Sequence, residues 1–186
     1  MRNFLALLAE IHRGVESGAL TQAEAAHYAS QRLCRIFHCA RASIWTIQAG
    51  QAMRLGGYDA LQSRPLTELA ELVRAKLGKH LVALTRPGIF VSEDVMADER
   101  LACVRDKYLA PHSVTSVLAA PLRFNGVISG VVCLESVGVL REWQTSEIAR
   151  LKSFANSMSL RKARAAISHR ESRGLSRPGV GGSRLV

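Results

Sequence analysis

Four cysteines, Cys34, Cys39, Cys103 and Cys133, are the residues of this chain with the most reactive side chains. A structural zinc site needs short Cys/His spacings such as CxxC, and many redox centres use the same pair. No CxxC pair and no zinc spacing occurs in the sequence. Three of the four cysteines fall in predicted helices or strands. This distribution favours reduced structural thiols over a metal or redox centre.

The stretch from Val114 to Glu147 predicts a β-hairpin around which the other elements are arranged. Two apolar runs, Val117–Phe124 and Val127–Leu134, flank Asn125-Gly126. Asn-Gly between apolar runs is the strongest short hairpin signal, because both central residues of a type I′ turn need φ > 0. Counting outward from the turn pairs Phe124 with Val127, Leu122 with Ser129, Pro121 with Gly130, and Ala119 with Val132. Both faces are largely apolar, so we expect cover on both sides or a cavity on one.

Helix signals occur at both ends of the chain and in its middle. Apolar residues at helical spacing predict a first helix from Arg2 to about Glu16. The capping box Thr21–Glu24 predicts a second helix to about Phe37. Pro65 begins a third predicted helix, whose stripe of Leu66, Leu69, Val73 and Leu77 is closed by Gly78. The last predicted helix opens at Thr145-Ser146-Glu147.

The remaining elements complete an α+β pattern. Strands are predicted at Ala42–Ile47, Ala52–Tyr58, Leu81–Leu84 and Ile89–Val91, and Asp98 is predicted to cap a short helix that runs to about Leu109 and is ended by Pro111. The order of elements predicts a central antiparallel sheet. The N- and C-terminal helices would cover one face, and a helix and loop would cover the other.

Length and charge bound the domain organisation. A chain of 186 residues is long enough for one sizeable core plus extensions. The early apolar run Phe4–Ala9 is too short for a signal peptide or a membrane span, so we expect a soluble cytoplasmic protein without a membrane partner. From Arg150 onward there are nine Lys/Arg and one acid, whereas residues 1–149 are nearly neutral. We predict an N-terminal helix (1–19), one domain (20–167) and a basic disordered tail (168–186).

The motifs along the hairpin resemble those of a known family. They are Ala120-Pro121-Leu122 at a strand end, the Asn-Gly turn, Gly130–Glu135, and Val-Gly-x-x-Arg-x-Trp-x-x-x-Glu from Val137 to Glu147. This series resembles the C-terminal half of a GAF domain, in particular the GAF domains at the N-termini of bacterial sensor kinases and diguanylate cyclases. The likeness covers roughly Thr21–Ala166. It implies the GAF fold, with a ligand side on one face of the sheet.

The resemblance implies a pocket between the sheet and the segment Phe90–His112. The candidate ligand-binding residues are Trp45, Phe90, Asp94, Arg100, Tyr108, His112, Ser116, Cys133 and Glu135, with Cys103 beside them. Glu135 is the preferred polar residue of this set. GAF domains bind very different molecules in one pocket, so the resemblance does not imply a particular ligand.

Several of these candidates also have ordinary structural explanations. Asp94 and Asp98 are typical turn and N-cap residues. Tyr108 could pack within its helix with the hydroxyl at the edge. Glu135 stands near a strand end and could pair with an arginine such as Arg141. These alternatives remain open at the level of the sequence.

Four ligand classes can be weighed on the residues present. Some haem-binding GAF sensors place an axial histidine shortly before the strand that ends in Pro, and His112 precedes Pro121 at a similar separation but about one residue out of alignment. A bilin would need Cys followed by His on the pocket helix, whereas Cys103 is followed by Val104. The Asn-Lys-x-x-Phe-Asp-Glu pattern of cyclic-nucleotide GAF domains is absent. A small anion or metabolite could use free N–H groups at the helix N-terminus near Asp98.

The resemblance favours a non-catalytic sensory module whose terminal helices, Phe4–Phe37 and Ile148–Ala166, form a parallel homodimer bundle. The apolar stripe of the last helix continues with Met158 and Ala165 in phase, although the protein's own sheet could cover it. Output would pass to a partner protein or to a further part of the polypeptide.

Two other functions remain as alternatives. One is a redox enzyme similar to free methionine sulfoxide reductases, which are GAF domains that use several cysteines; this chain lacks their Ala-Cys-Asp run before the hairpin. The other is nucleic-acid binding through the arginine-rich tail, which has no aromatic residue to stack on a base.

Overall fold

The protein is described here by a computed structural model, which covers residues 2–66 and 71–174, with side chains for residues 6–66 and 77–159. Six strands form one sheet in the order β3-β2-β1-β6-β5-β4, and all neighbouring strands are antiparallel. The strands are β1 (Arg41–Gln48), β2 (Gln51–Asp59), β3 (Arg64–Pro65), β4 (Phe90–Ser92), β5 (Val114–Phe124) and β6 (Val127–Val137). The predicted antiparallel sheet is therefore confirmed.

Helices cover both faces of the sheet. They are α1 (Arg2–Glu16), α2 (Gln22–Phe37), α3 (Glu71–Thr85), α4 (Ala102–Val104) and α5 (Thr145–Gly174), and α4 lies between a 3₁₀ turn at Glu99–Leu101 and a π turn at Arg105–Leu109. Helices α1, α2 and α5 enclose one core, which contains Leu33, Phe37 and Phe154. Helix α3 and the segment 99–109 enclose a second core on the other face. This is the predicted α+β arrangement.

The central hairpin forms as predicted, but with a different register. Asn125 and Gly126 both have positive φ, 49° and 78°, as a type I′ turn requires. Phe124 pairs with Val127, and an irregularity then follows between Leu122 and Arg123. A bulge places one extra residue on one strand, so every later pair shifts by one. Leu122 pairs with Gly130, Pro121 with Val131, Ala120 with Val132 and Ala119 with Cys133. The predicted pairs beyond the turn were wrong for this reason.

Three predictions about helix α3 and its surroundings were wrong. It continues through Gly78, and the predicted strand Leu81–Leu84 lies within it. Its predicted start, Pro65, belongs to β3 instead, while Leu69 lies outside the described residues. A Cβ on Gly78 would lie 2.3 Å from the Gly50 carbonyl oxygen. The glycine therefore allows α3 to approach the β1–β2 turn closely, and it does not end the helix.

The helix starts agree better with prediction. The Thr21 hydroxyl accepts from the Glu24 N–H at 3.2 Å, and the Glu24 carboxylate accepts from the Thr21 N–H at 2.8 Å, which is the predicted capping box. Asp98 caps the 3₁₀ turn as predicted. Helix α5 begins at Thr145 and runs to Gly174, past the predicted start of the tail at Ser168; residues 175–186 lie outside the description. The domain boundaries remain a prediction.

One arginine joins the end of α2 to the start of α5. The Arg141 guanidinium donates to the carbonyl oxygens of Phe37 (2.6 Å) and His38 (2.8 Å), and to the Glu147 carboxylate at 2.6 Å. Its Cζ also lies 4.4 Å from the centre of the Trp143 ring. We call this set of contacts the Arg141 bridge. None of the described helices combines the length and the apolar character needed to span a membrane.

Candidate functional site

Alternation along the strands divides the pocket residues from the rest of the core. Successive side chains of a strand point to opposite faces of the sheet. Trp45 and Cys133 therefore lie with the core under α3, whereas their neighbours Ile44 and Leu134 lie with the terminal helices. Glu135, two residues beyond Cys133, also faces α3.

A cavity of about 40 Å³ lies between this face and the elements α3 to Leu109. We call it the inner cavity. Its walls include Trp45, His80, Leu81, Phe90, Val104, Tyr108, Cys133 and Glu135. Five of the sequence-predicted residues line it, namely Trp45, Phe90, Tyr108, Cys133 and Glu135. A cavity of this size has room for about three water molecules or one very small ligand.

Among the described residues, Glu135 is the only carboxylate that lines the inner cavity, and it is 4% exposed. Its Oε1 accepts from the Tyr108 hydroxyl at 2.8 Å. Its Oε2 has no hydrogen-bond partner in the described part of the chain. Burial raises the pKa of Glu135, although the Tyr108 hydrogen bond and the charges of Arg54 and Arg41 oppose the shift. Glu135 does not pair with Arg141, which binds Glu147.

The π turn at Arg105–Leu109 presents Tyr108 to Glu135. π turns are rare and occur often at functional sites. Burial, followed by the charge of Glu135, raises the pKa of Tyr108 well above its usual value. The His112 ring packs on the Tyr108 ring with centres 5.2 Å apart, and it does not line the inner cavity. Desolvation, together with Arg41 and Arg54, lowers the pKa of His112.

A buried ion pair supports this polar cluster, and sequence reasoning missed it. Arg41 donates to the Asp59 carboxylate at 2.8 Å and to the His112 carbonyl oxygen at 3.1 Å. Asp59 also accepts from two backbone N–H groups in the turn that follows β2. Arg41 pairs with Glu135 in the β1–β6 register. The sequence did contain a signal for Arg41. Arg41 lies two residues before Ser43 and four before Trp45, so strand alternation predicts that all three side chains lie on the same face of the sheet.

His80 is the second residue of the site that sequence reasoning missed. It lines the inner cavity from α3, and its Nε2 is buried without a hydrogen-bond partner among the described residues. Desolvation lowers the pKa of His80, with a small opposing effect from Asp98. It was missed because the helix was predicted to end at Gly78. His80 was therefore not assigned to the helix, and the side of the helix on which it lies could not be predicted.

Three predicted polar residues lie outside the cavity wall and have structural roles. Asp94 accepts from the N–H groups of Met96 and Ala97 and so closes a turn. Arg100 pairs with Asp98 at 2.7 Å, and its Cζ lies 4.6 Å from the Phe90 ring centre. Ser116 donates to the Glu93 carbonyl oxygen and accepts from the Arg141 N–H. Cys103, the nearby thiol of the predicted set, is exposed.

The site is chemically suited to hold a polar group rather than to attack one. The Cys133 thiol is fully buried, and burial raises its pKa, which leaves it protonated and weakly nucleophilic. Within the described ranges, no group of three or more His, Cys, Asp and Glu is placed to bind a metal ion. The free acceptor Oε2 of Glu135 and the Nε2 of His80 are the groups that a ligand could satisfy.

A larger apolar groove of about 250 Å³ lies on the opposite face of the sheet. We call it the outer groove. It is bordered by α1, α2, α5 and the sheet, and its walls include Leu8, Ile11, Val15, Ala25, Leu55, Leu122 and Met158. Few polar side chains border it, among them His12, Gln22 and Arg123. Its chemistry is that of a packing surface, because it lacks a buried polar group of the kind found in the inner cavity.

The family model of the GAF domain matches residues 23–161, which is most of the chain. The chain belongs to the GAF family. Within the matched range lie β1 to β6, the inner cavity and the Arg141 bridge. The resemblance predicted from the hairpin motifs and the fold class are thus confirmed. No curated protein matches this GAF domain in sequence.

Solved structures similar to this GAF domain include photoreceptor domains. The blue-light absorbing form of the PixJ GAF domain from Thermosynechococcus elongatus is 19% identical, covers 81% of this chain and 89% of its own, and has a TM-score of 0.65. The photoproduct state of GAF3 from Slr1393 of Synechocystis sp. PCC6803 is 18% identical and has a TM-score of 0.63; the match covers 76% of this chain and 93% of the GAF3 chain. The far-red absorbing dark state of JSC1_58120g3 with bound biliverdin IXa is 15% identical and has a TM-score of 0.61; the match covers 86% of this chain and 99% of the JSC1_58120g3 chain. At these identities the likeness establishes the shared fold.

Proposed function

We propose that this GAF domain is a non-catalytic sensory module that binds a compact polar molecule in the inner cavity. The observation that carries the proposal is the buried Glu135 carboxylate, which faces the cavity with one oxygen paired and the other without a partner among the described residues. Leaving a buried polar atom without a partner costs about 1–3 kcal/mol. A ligand that donates a hydrogen bond to Oε2 recovers that cost on binding, so the site favours a ligand with an N–H or O–H group.

The walls of the cavity restrict the ligand further. Trp45 and Phe90 provide aromatic surface, and Arg54 and Arg100 lie 4.6 Å from the centres of these two rings. Drug-sized ligands occupy pockets of about 300–1,000 Å³. The inner cavity, at about 40 Å³, suits a molecule of a few heavy atoms unless α3 and residues 99–109 move apart.

Two cofactors considered from the sequence do not fit these residues. A linear tetrapyrrole such as the biliverdin of JSC1_58120g3 is far larger than the cavity, and the one thiol in the wall, Cys133, is held protonated by burial. A haem is also far larger than the cavity, and its candidate ligand His112 packs at a tilt against Tyr108 and does not line the cavity. We therefore propose neither group for this chain.

The output half of the proposal is a homodimer formed through the terminal helices. The outer groove is open and apolar, and α1 and α5 form its rim. Val15 in its wall is 36% exposed, which leaves apolar surface for a partner to cover. We propose that a second copy covers it, that α5 passes the signal to a partner protein or a further domain, and that the protein acts in the cytoplasm.

The ligand proposal is tested by native mass spectrometry of freshly purified protein, with an absorption spectrum of the same sample. We expect the wild type to retain a small-molecule mass, either as purified or after incubation with a cell extract. We expect Glu135→Leu to lose that mass, because leucine has a similar volume but no acceptor. Glu142→Leu changes an exposed glutamate and serves as the matched control, which should retain the mass. Wild-type protein that stays unliganded after both treatments contradicts the ligand proposal.

The alternative functions gain no specific support. Cys133 is a poor nucleophile, and the exposed Cys103 lies outside the cavity wall, so neither thiol favours a reductase. The second half of the arginine-rich tail lies outside the described residues, so nucleic-acid binding through it remains a prediction.

A further inference from the structure

Two cysteines lie side by side where α2 ends and β1 is about to begin. The N–H groups of His38 and Cys39 both donate to the Cys34 carbonyl oxygen, the latter at 3.1 Å. His38 has left-handed backbone angles, φ 49° and ψ 43°. A helix end of this kind brings the side chains of the first and sixth residues of the turn into contact. Those residues are Cys34 and Cys39.

Both cysteine side chains are buried in the same core, on either side of this turn. A side-chain hydrogen bond to Cys34, together with burial, raises the pKa of Cys39 well above its usual value. Each sulfur also lies near a backbone carbonyl oxygen, that of Tyr58 at 3.7 Å for Cys34 and that of Arg41 at 3.4 Å for Cys39. Both cysteines are reduced in the structure.

We propose that Cys34 and Cys39 form an intramolecular disulfide on reaction with hydroperoxides, which makes the α2–β1 junction a redox-sensitive modification site. This site is separate from the inner cavity, because both cysteines belong to the core on the terminal-helix face. The inference does not depend on the ligand proposal.

The reaction balances with hydrogen peroxide as the oxidant. One cysteine, as thiolate, attacks a peroxide oxygen; an S–O bond forms, the O–O bond breaks, and the departing hydroxide takes up a proton to give water. The second thiolate attacks the sulfenic sulfur; the S–S bond forms, the S–O bond breaks, and a second water leaves. The two sulfurs together lose two electrons, and the peroxide gains them. No other co-reactant is needed.

Access to the thiols requires opening of the helix end. Cys34 and Cys39 are 3% and 5% exposed, and the exposed His38 lies between them in the chain. A non-glycine residue in the left-handed region costs about 1–2 kcal/mol, so this turn is easier to open than the middle of α2. While the turn is closed, Cys39 is buried with a raised pKa and is a weak nucleophile, as Cys133 is. We therefore expect small peroxides to oxidise the pair slowly and only through the open form of the turn. Because the thiolate is the nucleophile, the rate should rise about tenfold for each pH unit below the thiol pKa values.

The disulfide would restrain two sets of contacts next to the turn, the Arg141 bridge and the hydrogen bonds of Arg41. The Arg141 bridge binds the carbonyl oxygens of Phe37 and His38, which lie within the turn that the disulfide closes. The Cys39 sulfur contacts the backbone of Arg41, whose guanidinium holds Asp59 and the His112 carbonyl oxygen. Oxidation therefore fixes the position of α2 against the start of β1.

Peptide mapping tests the proposal on the full chain. Reduced protein is treated with hydrogen peroxide, unfolded with N-ethylmaleimide present, and digested with trypsin. Trypsin cuts after Arg32, Arg35 and Arg41, so the disulfide would join the peptides 33–35 and 36–41. We expect this linked peptide and the loss of two of the four alkylatable thiols. Alkylation of all four thiols, separate sulfinic acids, or a link to Cys103 or Cys133 would each overturn the proposal.

Matched variants locate the reaction. Cys103→Ala removes the exposed thiol and should leave the linked peptide unchanged. Cys34→Ala and Cys39→Ala should each abolish it, with thermal unfolding in reductant used to establish that the variants fold. If either variant does not fold, the wild-type and Cys103→Ala peptide maps still decide the question. A rate of linkage that does not change between about pH 7 and pH 8 would contradict the thiolate step.

Discussion

Glu135 combines two properties that are rarely found together, because it is a buried carboxylate and, within the described part of the chain, one of its two oxygens has no hydrogen-bond partner. Tyr108 supplies that one hydrogen bond. The nearby arginines oppose the effect of burial on the Glu135 pKa but do not cancel it. At neutral pH the carboxylate therefore costs stability in the empty domain, and a donor group in the inner cavity would relieve that cost.

Replacing the carboxylate by an amide should change how stability depends on pH. Because the folded-state pKa of Glu135 is raised, the unfolded chain loses its proton first as pH rises above about 4.5, and stability falls until the folded pKa is passed. Glu135→Gln has no such fall. We expect the variant to match the wild type near pH 4 and to gain about 1–2 kcal/mol at pH 8, measured by urea unfolding at both pH values.

Tyr108→Phe provides the opposite test at the same contact. It removes the hydroxyl that donates to Glu135 and leaves the carboxylate without this donor, so the domain should lose about 1–3 kcal/mol of stability at pH 8.

The Glu135→Gln prediction has its own contrary outcome. An equal pH dependence of stability in the wild type and in Glu135→Gln would show that the carboxylate is not desolvated as described.

The site residues show what single positions reveal without a structure. Trp45, Cys133 and Glu135 could be placed together because strand alternation is a local rule. Asp94, Arg100 and Ser116 could not be separated from them, because a side chain that caps a turn and one that faces a cavity look alike in the sequence. The Arg41–Asp59 pair depends on the β1–β2 register, and the roles of both residues follow only from the folded sheet.

At the scale of secondary-structure elements, α3 shows that a residue typical of helix ends does not always mark one. Gly78 is a typical helix stop by residue type, yet here it is the point of contact between α3 and the β1–β2 turn. The capping box of α2 and the Asn-Gly turn were predictable because each is complete within a few residues. The bulge beside Leu122 was not, because it depends on how two strands meet.

Adding one methyl group at Gly78 should therefore destabilise the domain. A Cβ would lie 2.3 Å from the Gly50 oxygen and 2.6 Å from the Ala52 nitrogen, both of them backbone atoms that cannot rotate away. We expect Gly78→Ala to lose about 2–4 kcal/mol, despite a gain of about 1 kcal/mol in helix propensity. Denaturant unfolding of purified protein measures this difference.

Gly14→Ala is the matched control in another helix. A Cβ there would meet the Leu20 side chain, with Cδ1 nearest at 2.6 Å, and this side chain can rotate away whereas the backbone at Gly50 cannot. This variant should be neutral or up to about 1 kcal/mol more stable. If Gly78→Ala behaved like Gly14→Ala, α3 would not approach the turn as closely as described.

For the whole molecule, the length of α5 bears on assembly. It has 30 residues and is therefore about 45 Å long. Among the described side chains, its apolar residues from Ile148 to Met158 pack into the domain core, and the Ser159 hydroxyl accepts from the Arg123 N–H. We expect a homodimer in solution, with a mass by light scattering near twice the 20.3 kDa of the chain.

Charge placed in the outer groove should dissociate this dimer. Val15→Glu puts a carboxylate on an exposed apolar position of the groove wall and should weaken association at least tenfold. Met96→Glu changes a residue that is 50% exposed and outside the groove, and should leave the dimer intact. A wild-type monomer at high concentration would rule out the dimer, whereas dissociation by both variants would place the interface elsewhere.

The Arg141 bridge also constrains the order in which the chain reaches its final form. Its contact with the Phe37 carbonyl oxygen spans 104 positions of the sequence. Closing a loop of that length in a free chain costs about 4 kcal/mol of entropy, so the bridge is unfavourable until other contacts have brought its ends together. The intervening segment contains all six strands. We therefore expect the sheet to assemble before the bridge, so that the fluorescence of Trp143 beside Arg141 reports a late step of folding rather than the first collapse.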